Sequence, residues 1–490
     1  MKTGWRYIFL FILVFLLLFL LKRQHEDTSN HEHDSNHEHE SKTDNLSFLL
    51  TKSKSILDGH EIDHIPPQTQ HSGKYYTEDF IWKPIKLKRK WMMHSKHEPT
   101  KRASNCRMSN CFNWGRCLDV MQSENASLRI HVYPSQEEEE TYLQSAHGYH
   151  NIYKTSLSYN KILNSIRSSI HFEPDAKKAC LFVSRFDTLS RDPKDPFFIK
   201  LLNAHFYPLD DGRNHLIFNL FSGTWPDYQE LDFLGFDPRK AILVKASCTQ
   251  SNFRMGYDIS LPLFDDRHPE KSPGVLFDPE DPSHDIKKKV LLVFKGKRYT
   301  KGIGSEARNA LHHLHNDKDI LMYTTCKHGK DWEKNRDDRC DQDNALYDTV
   351  DYQELMSQST FCLVPRGRRA DTYRFLEALS LGCIPVVLSN DLVKPFSEVI
   401  DWTQVVVQAE ERLVFQLPET LRSIPDEEVK RMRIRCLAIY DTYFSSVEKI
   451  VMTVLNIMRD RIRTQSARTL NNWNQIQPGL SCDNTTLKYI

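Results

Sequence analysis

The sequence predicts a membrane-anchored α/β protein whose folded part is two doubly wound parallel-sheet domains facing across a cleft. Three observations predict it. Short apolar runs alternate with helical patterns, the alternation recurs in two blocks of similar size, and one apolar run at the amino end is flanked by basic residues. At 490 residues the chain has room for two domains with cores of their own. A hydrophobic fraction of 39% and a charged fraction of 27% are ordinary for globular material, and a net charge of +1 provides no global field to recruit nucleic acid. Any basic site has to be local.

Residues 7–21 form the apolar run, with Lys2 and Arg6 before it and Lys22 and Arg23 after it. Its length fits a signal-peptide core or a short span. No small-residue cleavage site follows, which favours an uncleaved signal-anchor with residues 1–6 as a cytosolic tail. Basic residues on both sides leave orientation open, and a short span suits a thin early-secretory membrane. Acceptor sequons at Asn45, Asn125 and Asn484, together with eleven cysteines, point to the oxidising, lumenal side. Residues 22–103 read as a disordered stem. SNHEH occurs there twice, with too little apolar surface to fold, and its histidines offer weak metal binding at most beside the plainer reading of a solvated spacer.

The first domain is expected over 104–285. Cys106, Cys111 and Cys117 crowd its start, but a zinc knuckle lacks a fourth ligand there, so disulfides are expected. The pairs read as Cys106 with Cys111 and Cys326 with Cys340, leaving Cys117 to reach elsewhere, with Cys180 as the candidate. Strands are expected in RIHVYP (129–134), ACLFVSRF (179–186), HLIFNLFSG (215–223), AILVKAS (241–247) and YDISLPLF (257–264). The second domain is expected over 286–464, after the proline-bearing stretch FDPEDPSHD. It carries KKVLLVFKG (288–296), a helix from Ser305, ILMYTTC (320–326), a βαβ unit and VVVQAEE (405–411). One long amphipathic helix over 426–463 is placed to pack across both halves, and 465–490 form a tail. Cys362 and Cys383 fall in core strands and are expected as buried thiols.

The βαβ unit is FCLVPRGRRADTYRFLEALSLGCIPVVLSN, residues 361–390. A strand at 361–364 is followed by a helix capped by Asp371 or Thr372 and stopped by Gly382, then by a strand at 384–389. Arg366, Arg368 and Arg369 therefore fall in the loop after a strand, at the carboxyl edge where open α/β sheets hold ligands, and Arg374 follows in the first helical turn. FKGKRY (294–299) places Gly296, Lys297 and Arg298 after another strand, with GIGSEARNAL starting a helix directly beyond. One solvated basic turn is common, but two basic strand ends in one sheet favour an anion site. The diphosphate of a sugar nucleotide is the candidate anion. Arginine forks match its oxygens, and each charge-assisted bond contributes roughly 1.5–3 kcal/mol, enough that no metal is required. Glu377 is then placed to accept the ribose hydroxyls, its plainer role being an i, i+3 pair with Arg374. Asp341-Gln-Asp343 has the spacing of a divalent-metal motif, but it lies in a polar loop and is not expected to hold one.

The runs GRNHLIFNLFSGTWPDY, FKGKRYTKGIGSEARNAL, TTCKHGKDW, FCLVPRGRR, RFLEAL and PFSEVIDW resemble the exostosin family, over roughly residues 104–480. The resemblance implies a GT-B glycosyltransferase fold and a type II Golgi and endoplasmic reticulum membrane protein. It further implies inverting, metal-independent transfer of glucuronic acid from UDP-glucuronate to a terminal N-acetylglucosamine of a growing heparan sulfate chain, beside a longer exostosin subunit. Full-length family members carry a second transferase domain, whose activity is not expected from a chain ending at Ile490. Inversion needs a base from the first domain, with Asp187 the first choice and Asp227 the second. Lys297 or Arg298 would also serve a substrate carboxylate. The loop departs from the family pattern at Asp371, a negative charge beside the expected diphosphate site that would pair with Arg369, cap the helix or weaken donor binding. A catalytically idle scaffold for a bifunctional exostosin partner is the rival expectation, and a sugar-binding lectin is a more remote one.

Overall fold

Among the described residues, ten strands form two five-stranded sheets in which every pairing is parallel. The computed structural model describes residues 105–123, 126–133, 155–189, 210–220, 238–270, 278, 280–281, 287–300, 305–329 and 332–475, all within the unit Tyr76–Ile490. The anchor run, the stem, Asn45, Asn125, Asn484 and Asp227 lie outside the described residues.

The first sheet contains β1 (Ile130–Tyr133), β2 (Leu181–Ser184), β3 (His215–Asn219), β4 (Ile242–Ala246) and β5 (Ile259–Leu261). Every residue of these strands is buried, which is why they read as near-continuous runs and not as alternations. Their order is β1-β2-β3-β4-β5, simple chain order. The expected doubly wound order is therefore absent from the described part of this sheet. Strand order depends on which side each crossover takes, and the strand sequences carry no trace of it.

The second sheet contains β6 (Val290–Lys297), β7 (Ile320–Thr325), β8 (Ser359–Pro365), β9 (Ile384–Leu388) and β10 (Val407–Gln408) in the order β10-β9-β8-β6-β7. This is the doubly wound order, with a topological switch between β6 and β8. β10 is shorter than the apolar run 405–411 suggests, because the chain turns at Glu410, whose side chain accepts from the Arg412 amide.

The helices used below are α1 (Leu157–Ser168), α2 (Ser305–Asn309), α3 (Cys340–Asp348), α4 (Tyr352–Ser357), α5 (Arg374–Ser380), α6 (Asp426–Ile439) and α7 (Val447–Ile462). The single long helix expected over 426–463 is thus two, separated by a π-helical segment at Tyr440–Phe444. Ser446 restarts the helix by accepting from the Lys449 amide. α7 packs its apolar face into the core shared with α1. At its carboxyl end Arg461 donates to the carbonyls of Tyr257 (2.6 Å) and Asp258 (2.8 Å), while Arg463 Nε donates to the Val120 carbonyl (2.7 Å). The halves are also stitched by backbone bonds, Phe396 to Ser260 (2.9 Å), Val393 to Cys248 (2.9 Å) and Gln250 to Asp391 (3.0 Å).

Disulfides join Cys106–Cys111, Cys117–Cys180 and Cys326–Cys340. A fourth, Cys362–Cys383, corrects the expectation of two buried thiols. Cys362 of β8 stands opposite Pro385 of β9. Residues two apart in extended chain share a face, so Cys383 lies on the side of Cys362, with Cα atoms 5.6 Å apart. Each cysteine read alone looks like core.

Candidate active site

β6 pairs with β7 on one side and β8 on the other, a switch point of the kind outside whose carboxyl strand ends doubly wound sheets form a ligand crevice. Both basic segments end there. β6 runs out through Gly296 and Lys297. β8 runs out into Arg366, Arg368 and Arg369, in a turn closed by the Gly367 amide on the Arg369 carbonyl (3.0 Å) and tied to β9 by the Arg366 amide on the Leu388 carbonyl (2.9 Å). Lys297 is exposed, and the three loop arginines are half-buried. Arg366 Nε is buried without a protein partner. The Arg368 guanidinium lies 5.0 Å from the centroid of the Tyr299 ring.

Arg298 goes the other way. Successive residues of extended chain face opposite sides, so Lys297 points to solvent and Arg298 inward, where it is 1% exposed. Its guanidinium forks onto Asp337 (2.6 and 2.7 Å), and Nε donates to Asp343 (2.7 Å). The Asp337 carboxylate first, then Asp343, holds its pKa above the ordinary guanidinium value. This corrects its expected contact with a diphosphate: Arg298 anchors the polar, disulfide-bracketed loop to the end of β6. Asp343 is also engaged by Arg339 (3.1 Å) and Thr324 (3.0 Å), whereas Asp341 faces Arg336 at 3.7 Å. The two aspartates of the D-x-D spacing therefore serve different partners.

Arg374 is likewise a brace. Nη2 donates to the Lys295 carbonyl (2.5 Å), and the guanidinium sits 4.5 Å from the Phe294 ring centroid. It passes over Gly296, where a Cβ would meet Nη2 at 2.6 Å and Phe294 at 2.9 Å. The glycine thus makes room for an arginine of this protein. Arg374 forms no ion pair with Glu377 among the described residues. Glu377 is exposed, and its Oε2 accepts instead from the Tyr352 hydroxyl (2.5 Å).

Two site residues escaped the sequence reading. Arg308 of α2 is buried, with Nε on the Arg366 carbonyl (2.9 Å), Nη1 on the Lys297 carbonyl (2.7 Å) and the Tyr299 ring 5.0 Å away. It straps the ends of β6 and β8 together across the switch. Burial draws its pKa down to about 10, so it stays cationic at neutral pH. Its cue was an arginine on the sheet-facing side of GIGSEARNAL, a segment read only as a helix start. Tyr352, the second, had no local cue.

Asp371 neither caps α5, which starts at Arg374, nor pairs with Arg369. It is 3% exposed, with Oδ1 accepting from the Thr372 amide (2.7 Å) and Oδ2 from the Leu263 amide just beyond β5 (3.3 Å). Burial pushes its pKa up to about 7. The departure from the family loop is thus a buried link between the two halves. Asp187 is 6% exposed, and its oxygens accept from the Ser156 and Leu189 amides (2.8 Å each), bracing the start of α1 against the exit of β2.

Residues 124–424 match the Exostosin GT47 domain, a span that contains all ten strands described above. The chain belongs to the exostosin family. This exostosin is 47% identical over 382 residues to Exostosin-1c of Danio rerio, covering 77% of its own length and 49% of that relative. It is 45% identical over 385 residues to Exostosin-1 of Mus musculus, covering 77% and 48%. The chain spans about half the length of the curated relatives it matches. The family is one of glycosyltransferases, and the two parallel sheets of this exostosin fit a GT-B-like member.

Proposed function

We propose that this chain transfers glucuronic acid from UDP-glucuronate, with inversion, to a terminal N-acetylglucosamine of a growing heparan sulfate chain. The observation that supports the reading is that the RGRR loop leaves the carboxyl end of β8 beside the β6/β8 switch, with Glu377 in the first turn of the helix that follows. Arg366, Arg368 and Arg369 are the cations for the diphosphate, Lys297 is the remaining cation for a substrate carboxylate, and Glu377 accepts the ribose hydroxyls. The acceptor hydroxyl attacks the anomeric carbon opposite the nucleotide and gives its proton to a base. The anomeric C–O bond to the diphosphate breaks, and the guanidinium groups stabilise the leaving charge.

Asp187 is a poor base, because both of its oxygens are occupied by backbone amides inside the fold. The assignment passes to Asp227. Metal-independence is supported by the engagement of Asp343 with Arg298, which takes it out of any D-x-D pair. The surrounding proposals are a signal-anchor at 7–21, a lumenal site in the Golgi and endoplasmic reticulum, and a longer exostosin as partner. The test is to incubate the purified chain with UDP-glucuronate and an N-acetylglucosamine-terminated oligosaccharide, alone and with a longer exostosin. Sugar transfer that persists in chelator is expected. No transfer by either sample, with the longer subunit merely stabilised, would overturn the reading in favour of a scaffold.

A further inference from the structure

Helix α4 starts at Tyr352, fixed by Asp351, whose Oδ1 accepts from the Glu354 amide at 2.7 Å. The Tyr352 ring packs on the small core of Val293, Leu355, Cys362 and Ala378 that underlies α5. On another side the Arg374 guanidinium lies 5.8 Å from the ring centroid. The cap, the core and the cation together leave the ring little freedom, so its hydroxyl has a defined position. That hydroxyl donates to Glu377 Oε2 at 2.5 Å. Among the described residues no donor meets the other carboxylate oxygen, and Glu377 is exposed in the first turn of α5, the helix that follows β8.

We propose that Tyr352 is a positioning residue for the donor: it holds one oxygen of Glu377 and turns the other to accept the 2′ and 3′ hydroxyls of a nucleoside diphosphate. The inference rests on the ribose reading of Glu377 given above. A glutamate alone on an exposed helix face samples several rotamers, and binding would have to order it. The phenol does that ordering when the protein folds, which lowers the cost met at binding. Phenol chemistry suits the task. It supplies a single donor and adds no positive charge, and its pKa is raised, first by burial, so that it remains a donor throughout the neutral range. Sequence distance hid the pairing, since the partners are 25 residues apart on different helices.

The test is a titration of the full chain with UDP and with 2′-deoxy-UDP, using Tyr352→Phe, Glu377→Ala and the double variant. Tyr352→Phe keeps the ring on Arg374 and removes only the hydroxyl. It is expected to weaken UDP binding about tenfold, the size of one charge-assisted hydrogen bond. Preference for UDP over its 2′-deoxy analogue should shrink, and in the Glu377→Ala background the second substitution should cost nothing further. If Tyr352→Phe binds UDP like the parent while Glu377→Ala does not, the ribose reading survives and the inference fails. An equal loss for both nucleotides and in both backgrounds would mark Tyr352 as merely structural and overturn it. If Glu377→Ala binds UDP like the parent, the ribose reading itself falls and takes the inference with it.

Discussion

Replacing Asp371 by asparagine should change the pH dependence of stability in a direction that the structure fixes. In the native protein burial raises the Asp371 pKa from 3.8 to about 7. The unfolded chain releases this proton near the ordinary value, whereas the native chain keeps it until near neutrality. Between those two values the unfolded state therefore binds fewer protons, and stability falls as pH rises. The contribution is fully present below about pH 4 and is lost by the time pH passes about 7. The shift corresponds to about 4 kcal/mol on an order-of-magnitude scale. Asparagine does not titrate, but its amide can accept only one of the two backbone bonds that Asp371 accepts from Thr372 and Leu263. The variant should thus be the less stable near pH 4.5, and its deficit should shrink or reverse as pH approaches 7.5. The assay is thermal and chemical unfolding of both proteins across that range. A stability difference that stays constant with pH, or a parent that gains on the variant as pH rises, would refute the reasoning.

The remaining predictions concern the site and its supports. Arg366→Ala and Glu377→Ala should each weaken UDP binding about tenfold or more by calorimetry while leaving the melting temperature close to that of the parent, since neither side chain braces the fold. Asp187→Asn should lower stability by about 1–3 kcal/mol and spare UDP affinity, because an amide can accept only one of the two backbone bonds it inherits. A melting temperature equal to the parent's, with turnover lost, would instead restore Asp187 as the base. Replacing Cys362 and Cys383 by serine should cost about 3 kcal/mol in denaturant unfolding, from the 21-residue separation that the bridge closes.

What could be read from the chain follows how far apart the interacting groups lie. The strands were legible because parallel strands buried on both faces leave unbroken apolar runs. The RGRR loop was legible because strand, loop and helix are consecutive. Gly382, with φ of +61°, stops the chain of α5 as its position suggested. Contacts between distant segments were not legible. The fates of Arg298 and Asp371 were set by Asp343 at 45 residues and by the Leu263 amide at 108 residues. Only the register of β8 on β9 brings Cys362 to Cys383, and the order of the first sheet depends on crossovers the strand sequences do not encode. The basic residues at the ends of β6 and β8 look alike as letters. Alternation along β6 separates Lys297 from Arg298, and the room left by Gly296 turns Arg374 inward.

The most direct measurement is a crystal structure of the protein with UDP. The account predicts the diphosphate within hydrogen-bond distance of the Arg366–Arg369 loop and the ribose on Glu377, with Arg298 still held by Asp337 and Asp343. Nucleotide bound away from the β6/β8 switch, or guanidinium groups of that loop turned from it, would contradict the account.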